Sequence, residues 1–88
     1  MKRYQVRARE LVRKAKEVPC KDCGNEYPHY VMQFDHLDPK LKVREVSRMV
    51  SSGVSEETLL VEILKCEIVC ANCHAARTYH RKHPALVA

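Results

Sequence analysis

An α+β fold in one small domain is predicted by three features: helical spacing of apolar residues at the N-terminus, strand-like alternation in "YVMQFDH" (30–36), and a C-x2-C unit that occurs twice. The chain has 88 residues. A core of that size shields limited apolar surface, so a cross-link is expected to hold the fold together. Charged residues make up 31% and hydrophobic residues 45%, with two Gly and four Pro, a composition that excludes a disordered chain. No apolar run reaches the ~20 residues of a membrane span, and the N-terminus lacks the apolar stretch of a secretory signal. A cytoplasmic setting without membrane attachment is the expectation. There the five cysteines point to metal ligation and not to disulfides.

Tyr4, Ala8, Leu11, Ala15 and Val18 recur at spacings of three and four, so residues 1–18 read as an amphipathic helix ended by Pro19. This segment is strongly basic. Residues 1–17 carry seven Lys or Arg against Glu10 and Glu17, while residues 18–88 carry nine of each sign, so the whole net charge of +5 lies at one end. Arg3, Arg7, Arg13 and Lys14 are therefore expected to meet a polyanion such as DNA. A solvated helix face is the alternative reading of the same charges.

The remaining unit, 19–88, opens with "CKDCGNEYP", a Gly-containing turn, followed by the strand, which ends at Asp35-His36 before Asp38-Pro39 opens a loop. Val43, Val46, Met49 and Val50 mark a short helix closed at Gly53. A second helix starts at Ser55 as N-cap, with Glu56 and Glu57 in its first turn and Leu59, Leu60, Ile63 and Leu64 as its buried face. "CEIVC" (66–70) is a second strand, and Ala71 to about Lys82 a last helix carrying His74 and Arg77 one turn apart.

Cys20 and Cys23 with Cys70 and Cys73 have the spacing at which two knuckle turns aim four thiolates at one Zn2+. Between the pairs lie 46 residues, longer than an ordinary zinc ribbon, so a strand and two helices must be held between them. A redox role for C-x-x-C would need a βαβ context that the pattern lacks. Cys66 is left over and reads as a small buried hydrophobe, with substitution for one of the four ligands as the alternative. Four thiolates leave no open coordination position, so this zinc is structural and any chemistry lies elsewhere. Zinc would draw the strand bearing Asp35 toward the helix that starts at Cys70. A strand carboxylate and the imidazole of His74 can then hold a second divalent ion, Mg2+ or Mn2+ or another. Asp35 and His36 are adjacent, so on a regular strand they point to opposite faces unless the backbone bends.

"FDHLDP" followed by "VCANCHAARTYHR" resembles the HNH endonuclease family, in particular its zinc-knuckle subgroup of small bacteriophage proteins. The resemblance covers roughly residues 18–82. It implies a ββα-metal fold, here with the basic N-terminal helix added and two helices inserted, and a metal-dependent nuclease that hydrolyses DNA phosphodiester bonds. Asp35 and His74 match the family's metal ligands and His36 its general base, which makes Asp35, His36 and His74 the expected catalytic residues. Where many members have an Asn that steadies the loop bearing the base, this chain has Lys65. Asn72 is a candidate for that role or a helix cap, and His80 a candidate further ligand or phosphate contact. Arg77, Arg81 and Lys82 are expected at the phosphates, with low sequence specificity because no helix is rich in base-reading side chains. One active site per chain implies nicking by a monomer, or double-strand cleavage by a dimer. The resemblance also suggests a host-cell cytoplasm and a phage terminase as partner. The competing reading is a non-enzymatic zinc-finger module that binds nucleic acid or protein. His29 and His83 read as structural or exposed, and Asp38 as a turn former.

Overall fold

The expected order of helices and strands is realised with shifts at several ends. The computed structural model describes residues 3–83 and the side chains within 5–83. The side chains of Arg3 and Tyr4, and residues 84–88 of the expected 19–88 unit, lie outside the described residues. The first helix, α1, spans Arg3–Ala15, shorter than the expected 1–18. Its last turn closes through the Lys16 and Glu17 amides onto the carbonyls of Val12, Arg13 and Lys14. Val18, expected on the apolar stripe, falls beyond the helix and is exposed, whereas Ala8 is buried and Leu11, Val12 and Ala15 pack beside it.

A 3-10 turn at His29–Val31 precedes strand β1, Met32–His36. The strand thus starts two residues later than the alternation suggests. Pro28 is the cause: it sits at φ −56°, and its carbonyl accepts from the Val31 amide, closing a turn that leaves Tyr30 exposed. Helix α2 runs over Val46–Ser52 and stops at Gly53, whose φ of 77° is a left-handed conformation that side-chain-bearing residues rarely adopt. Helix α3, Glu56–Leu64, starts as expected at Ser55, whose hydroxyl accepts from the Thr58 amide at 3.1 Å. Its buried face differs from the expectation. Leu59, Glu62 and Ile63 point inward while Leu60 and Leu64 are exposed, so a carboxylate joins two of the four expected leucine and isoleucine side chains on the buried face.

Strand β2, Cys66–Cys70, pairs antiparallel with β1, placing Met32 opposite Cys70, Asp35 opposite Glu67 and His36 opposite Cys66. Helix α4, Ala71–Lys82, follows without a linker and packs on both strands. This is a small α+β fold with a two-stranded sheet and four α-helices among the described residues. Two apolar clusters organise it. Ala8, Val46, Met49, Leu59 and Ile63 join α1, α2 and α3, with Phe34 of β1 packed against them. Cys20, Met32, Val69 and Cys70 form the second, so here cysteine side chains do the work of core residues. Among the described residues no helix is long and apolar enough to cross a membrane.

Candidate functional site

The first knuckle folds because the Cys20 amide donates to the Asn25 carbonyl at 2.9 Å and the Gly24 amide to the Cys20 carbonyl at 2.9 Å, with Gly24 at φ 75°. The Lys21 amide donates to the Ile68 carbonyl at 3.0 Å and docks the knuckle on β2. The second knuckle is the β2–α4 junction, where Cys70 caps α4 by accepting from the Cys73 amide. As a result the four ligand atoms of Cys20, Cys23, Cys70 and Cys73 all lie within 4.8 Å of one another. Thiolates on a tetrahedral Zn2+ with ~2.3 Å bonds stand about 3.8 Å apart, so a small contraction would close the cluster on a metal. The charge chemistry also fits. Burial opposes ionisation of Cys20, yet the amides of Cys23, Cys70 and Asp22 outweigh it and bring the thiol down to about 6. Cys73, sharing protons with Cys70 and with the other two cysteines, is pushed up to about 12. One thiolate raises the cost of the next, and a divalent cation relieves that repulsion. The cluster can hold a metal such as zinc.

Strand alternation sends Gln33 and Asp35 toward α4 and Phe34 and His36 toward the helical core, as their contacts record. Asp35 is only 2% exposed. Its Oδ1 stands 3.5 Å from His74 Nε2, the separation at which two donors can share one ion. The Gln33 amide oxygen accepts from His74 Nδ1–H, so in the neutral ring the Nε2 lone pair is aimed at the carboxylate. In the neutral ring two acceptors face each other, an arrangement that a cation between them would satisfy. Arginines already supply part of that charge. Arg81 donates to both Asp35 oxygens at 2.7 Å, and Arg77 to Oδ2 at 2.7 Å. The Arg81 hydrogen bond, then burial working the other way, then the Arg77 hydrogen bond bring the Asp35 carboxyl to about 2. Oδ1 accepts only from Arg81, so a lone pair remains for an ion on the His74 side.

Arg77 does more than hold Asp35. It also donates to both oxygens of Asp22, at 2.7 and 2.6 Å, and to Glu67 at 2.9 Å. Asp35 and Glu67 are cross-strand neighbours that would repel, and this guanidinium bridges them while tying both to the first knuckle. Expected at a phosphate, Arg77 is instead engaged by three carboxylates. Its partners Asp22 and Glu67 were not identifiable as such, because an ordinary acidic residue on a strand or turn reads as solvated.

His36 lies on the other face of β1, away from Asp35. Its ring is enclosed, 7% exposed by side chain, and its Nε2 lies 2.8 Å from Glu62 Oε2. Glu62, 1% exposed, also accepts from the Val43 amide at 3.1 Å and from Lys65 at 2.9 Å. Burial would raise the Glu62 carboxyl, but Lys65, the Val43 amide and His36 outweigh it and bring it to about 2. Lys65 further donates to the Leu41 carbonyl at 2.9 Å, and its own carbonyl accepts from the Leu37 amide at 3.2 Å. Lys65 thus ties down the 37–45 loop, and Glu62 holds the imidazole. Glu62 shares the buried face of α3 with Leu59 and Ile63, a phase visible in the sequence once Leu64 is not counted among the buried residues.

Glu45, at the start of α2, connects the two faces. Its carboxyl is lowered first by Lys42, which bonds it, and also by the imidazoles of both His36 and His74. Other expected contributors lie apart. Asn72 is exposed in the first turn of α4 and the cap there is Cys70; His80 is exposed and packs edge-on against Tyr79. Lys82 is exposed at the end of the same helix, as are Arg7 and Lys14 on α1, while Arg13 is engaged by Glu10 and Glu17. Asp38 is the turn former expected, accepting from the Lys40 amide at 2.9 Å. Comparison with protein-family models, curated proteins and solved structures finds no match for this chain.

Proposed function

We propose that this chain is an endonuclease of the HNH kind, a metal-dependent phosphodiester hydrolase that nicks DNA with low sequence specificity. The observation that carries the reading is the approach of Asp35 Oδ1 and His74 Nε2 to 3.5 Å beside a four-thiol cluster at the junction of β2, α4 and the first knuckle. The β1–β2–α4 arrangement supports it in outline. A Mg2+, Mn2+ or similar ion, when bound, supplies Lewis-acid stabilisation of charge on the phosphate and the leaving oxygen. Asp35 and His74 would hold that ion. His36, braced by Glu62, accepts the proton of the attacking water, and the 37–45 loop governs access to its ring. Arg81, half-exposed and bound only to Asp35, can turn to a phosphate, and Lys82 with the exposed arginines of α1 extends the contact along the backbone. Partnership with a phage terminase rests on the resemblance alone.

A second reading has observations of its own. Both Asp35 oxygens are occupied by guanidinium groups and the His36 ring is enclosed, which suits a zinc-stapled binding module whose polar residues are structural. Supercoiled plasmid with Mg2+ or Mn2+ separates the two. The nuclease reading expects open-circular product from wild type, and about 100-fold or greater loss in His36→Ala and His74→Ala with zinc content and DNA affinity retained. Intact plasmid with wild type and every divalent ion tried would leave the binding module standing.

A further inference from the structure

The buried carboxylate of α3 has no counterpart in the site expected from the sequence, and its contacts go beyond filling space. Glu62 receives three donors, from Lys65, from the Val43 backbone and from His36, and it is the sole side-chain partner of His36 among the described residues. An ionised carboxylate only accepts, so His36 Nε2 must be the protonated nitrogen in this pair. In the neutral ring that leaves Nδ1 with the lone pair. In free imidazole the two tautomers interconvert, and a base used at one nitrogen is competent only in one of them. We infer that Glu62 is a positioning residue: its hydrogen bond to Nε2 fixes both the tautomer and the ring plane of His36, so that Nδ1 is the atom that takes a proton from the nucleophile. Lys65 serves the same end one step removed, holding the second oxygen of Glu62 and the loop carbonyl of Leu41 at 2.9 Å each. This inference deepens the nuclease reading and rests on it for the identity of His36 as the base.

The geometry makes a claim about one hydrogen that is measurable without any activity. Long-range 1H–15N correlation spectra of the zinc-loaded full chain should show His36 in the Nε2–H form, with an unprotonated Nδ1 signal. In Glu62→Ala that signal should move toward a tautomer average. In the plasmid assay Glu62→Ala should lose roughly 30- to 100-fold in kcat with little change in KM, because DNA contacts are untouched. Glu62→Gln keeps an acceptor oxygen and should recover most of that loss, whereas Glu62→Met, which fills similar volume without an acceptor, should not, a split that a merely space-filling role would not produce. Circular dichroism and zinc content establish that each variant is folded. If Glu62→Ala does not fold, Glu62→Gln and Lys65→Met carry the test, with Lys65→Met expected to lose about 3- to 10-fold in kcat. An Nδ1–H tautomer in wild type, or full kcat in a folded Glu62→Ala, would overturn the inference. If wild type leaves every plasmid uncut, the nuclease reading fails, and the spectra alone decide whether Glu62 sets the tautomer.

Discussion

Arg77 and Arg81 sit one turn apart on α4 and grip the same carboxylate, but unequal structure depends on them. Arg77 is 18% exposed by side chain and joins three acidic groups from three segments, whereas Arg81 is 49% exposed and holds Asp35 alone. Removing Arg77 leaves Asp35 and Glu67 facing each other across the hairpin with Asp22 unpaired. Arg77→Ala should therefore destabilise the zinc-loaded protein by about 2–4 kcal/mol in denaturant melts, and Arg77→Lys nearly as much, since an ammonium cannot span three partners. Arg81→Ala should cost less than about 1 kcal/mol because its partner keeps Arg77 and its head is screened by water. Glu62 offers a test by pH. Its carboxyl lies near 2, below the ordinary 4.5, so its contribution is complete above about 4.5 and lost as pH falls through 2. The stability gap between wild type and Glu62→Gln should be about 3 kcal/mol at pH 7 and should shrink progressively below pH 4.5. Taking the difference between two chains with the same cysteines cancels the acid release of zinc from both. A gap that stays constant from pH 7 to 3 would mean that Glu62 is not held ionised by its partners.

At the scale of elements, what was legible in the sequence is what depends on neighbours along the chain. Ser55 capping α3, Gly53 ending α2, Cys66–Cys70 as a strand and Ala71–Lys82 as a helix all follow from local chemistry, and the structure has them at those positions. The paired C-x2-C spacing was equally readable, because a knuckle is a local turn and two of them define one ion. The errors share a different cause. Leu64 and Leu60 look buried by composition, but α3 meets β2 and α2 along the Leu59–Glu62–Ile63 line, and the choice of face is a tertiary fact. Asp35 and His36 were adjacent candidates for one site, and only their packing decides that one meets α4 and the other α3. The partners Asp22, Glu67 and Glu45 carried no local signal, and Glu62 only the helical phase it shares with Leu59 and Ile63. The two clusters also differ in what holds them together. The α1–α2–α3 cluster is aliphatic, while the hairpin, first knuckle and α4 are joined through cysteine side chains. A zinc chelator should therefore abolish slow amide exchange in 66–82 first, with α2 and α3 keeping measurable protection. Uniform loss of protection across both clusters would instead show a single cooperative unit. Within the aliphatic cluster, Gly53→Ala should cost about 1 kcal/mol at its left-handed position and Ser55→Ala about 1 kcal/mol through the lost cap, read in the same melts.

Across the whole molecule, the two buried carboxylates, Asp35 and Glu62, are engaged by cations, and exposed bases on α1 and α4 are left unpaired. Asp35, Glu62, Asp22 and Glu67 are each engaged by a cationic side chain at the hairpin, which leaves few carboxylates to repel a polyanion near the proposed site. On α1, Arg13 is neutralised by Glu10 and Glu17, and Lys16 lies with its ammonium 5.3 Å from the Phe34 ring centre, partly desolvated and with its pKa lowered by that burial. Neither is suited to a phosphate. Arg7, Arg9 and Lys14 are exposed and form no ion pair among the described residues, so they are the α1 cations whose counterions a phosphate backbone would release. Deleting α1 would not test this, because Ala8, Leu11 and Val12 would leave the helical cluster uncovered. Substituting the three exposed residues together, Arg7→Gln, Arg9→Gln and Lys14→Gln, removes charge and keeps the apolar face. Each phosphate contact contributes a slope of about −0.9 to log K against log salt on duplex DNA, so the triple variant should flatten that slope by about 2 to 3. At fixed low salt its affinity should fall by 10-fold or more, while kcat at saturating DNA stays near that of wild type. Arg13→Gln should change the slope by less than about 0.5, since its charge is already compensated. Equal slopes for wild type and triple variant would place the nucleic-acid surface elsewhere, with α4 and its exposed Lys82 as the remaining basic face.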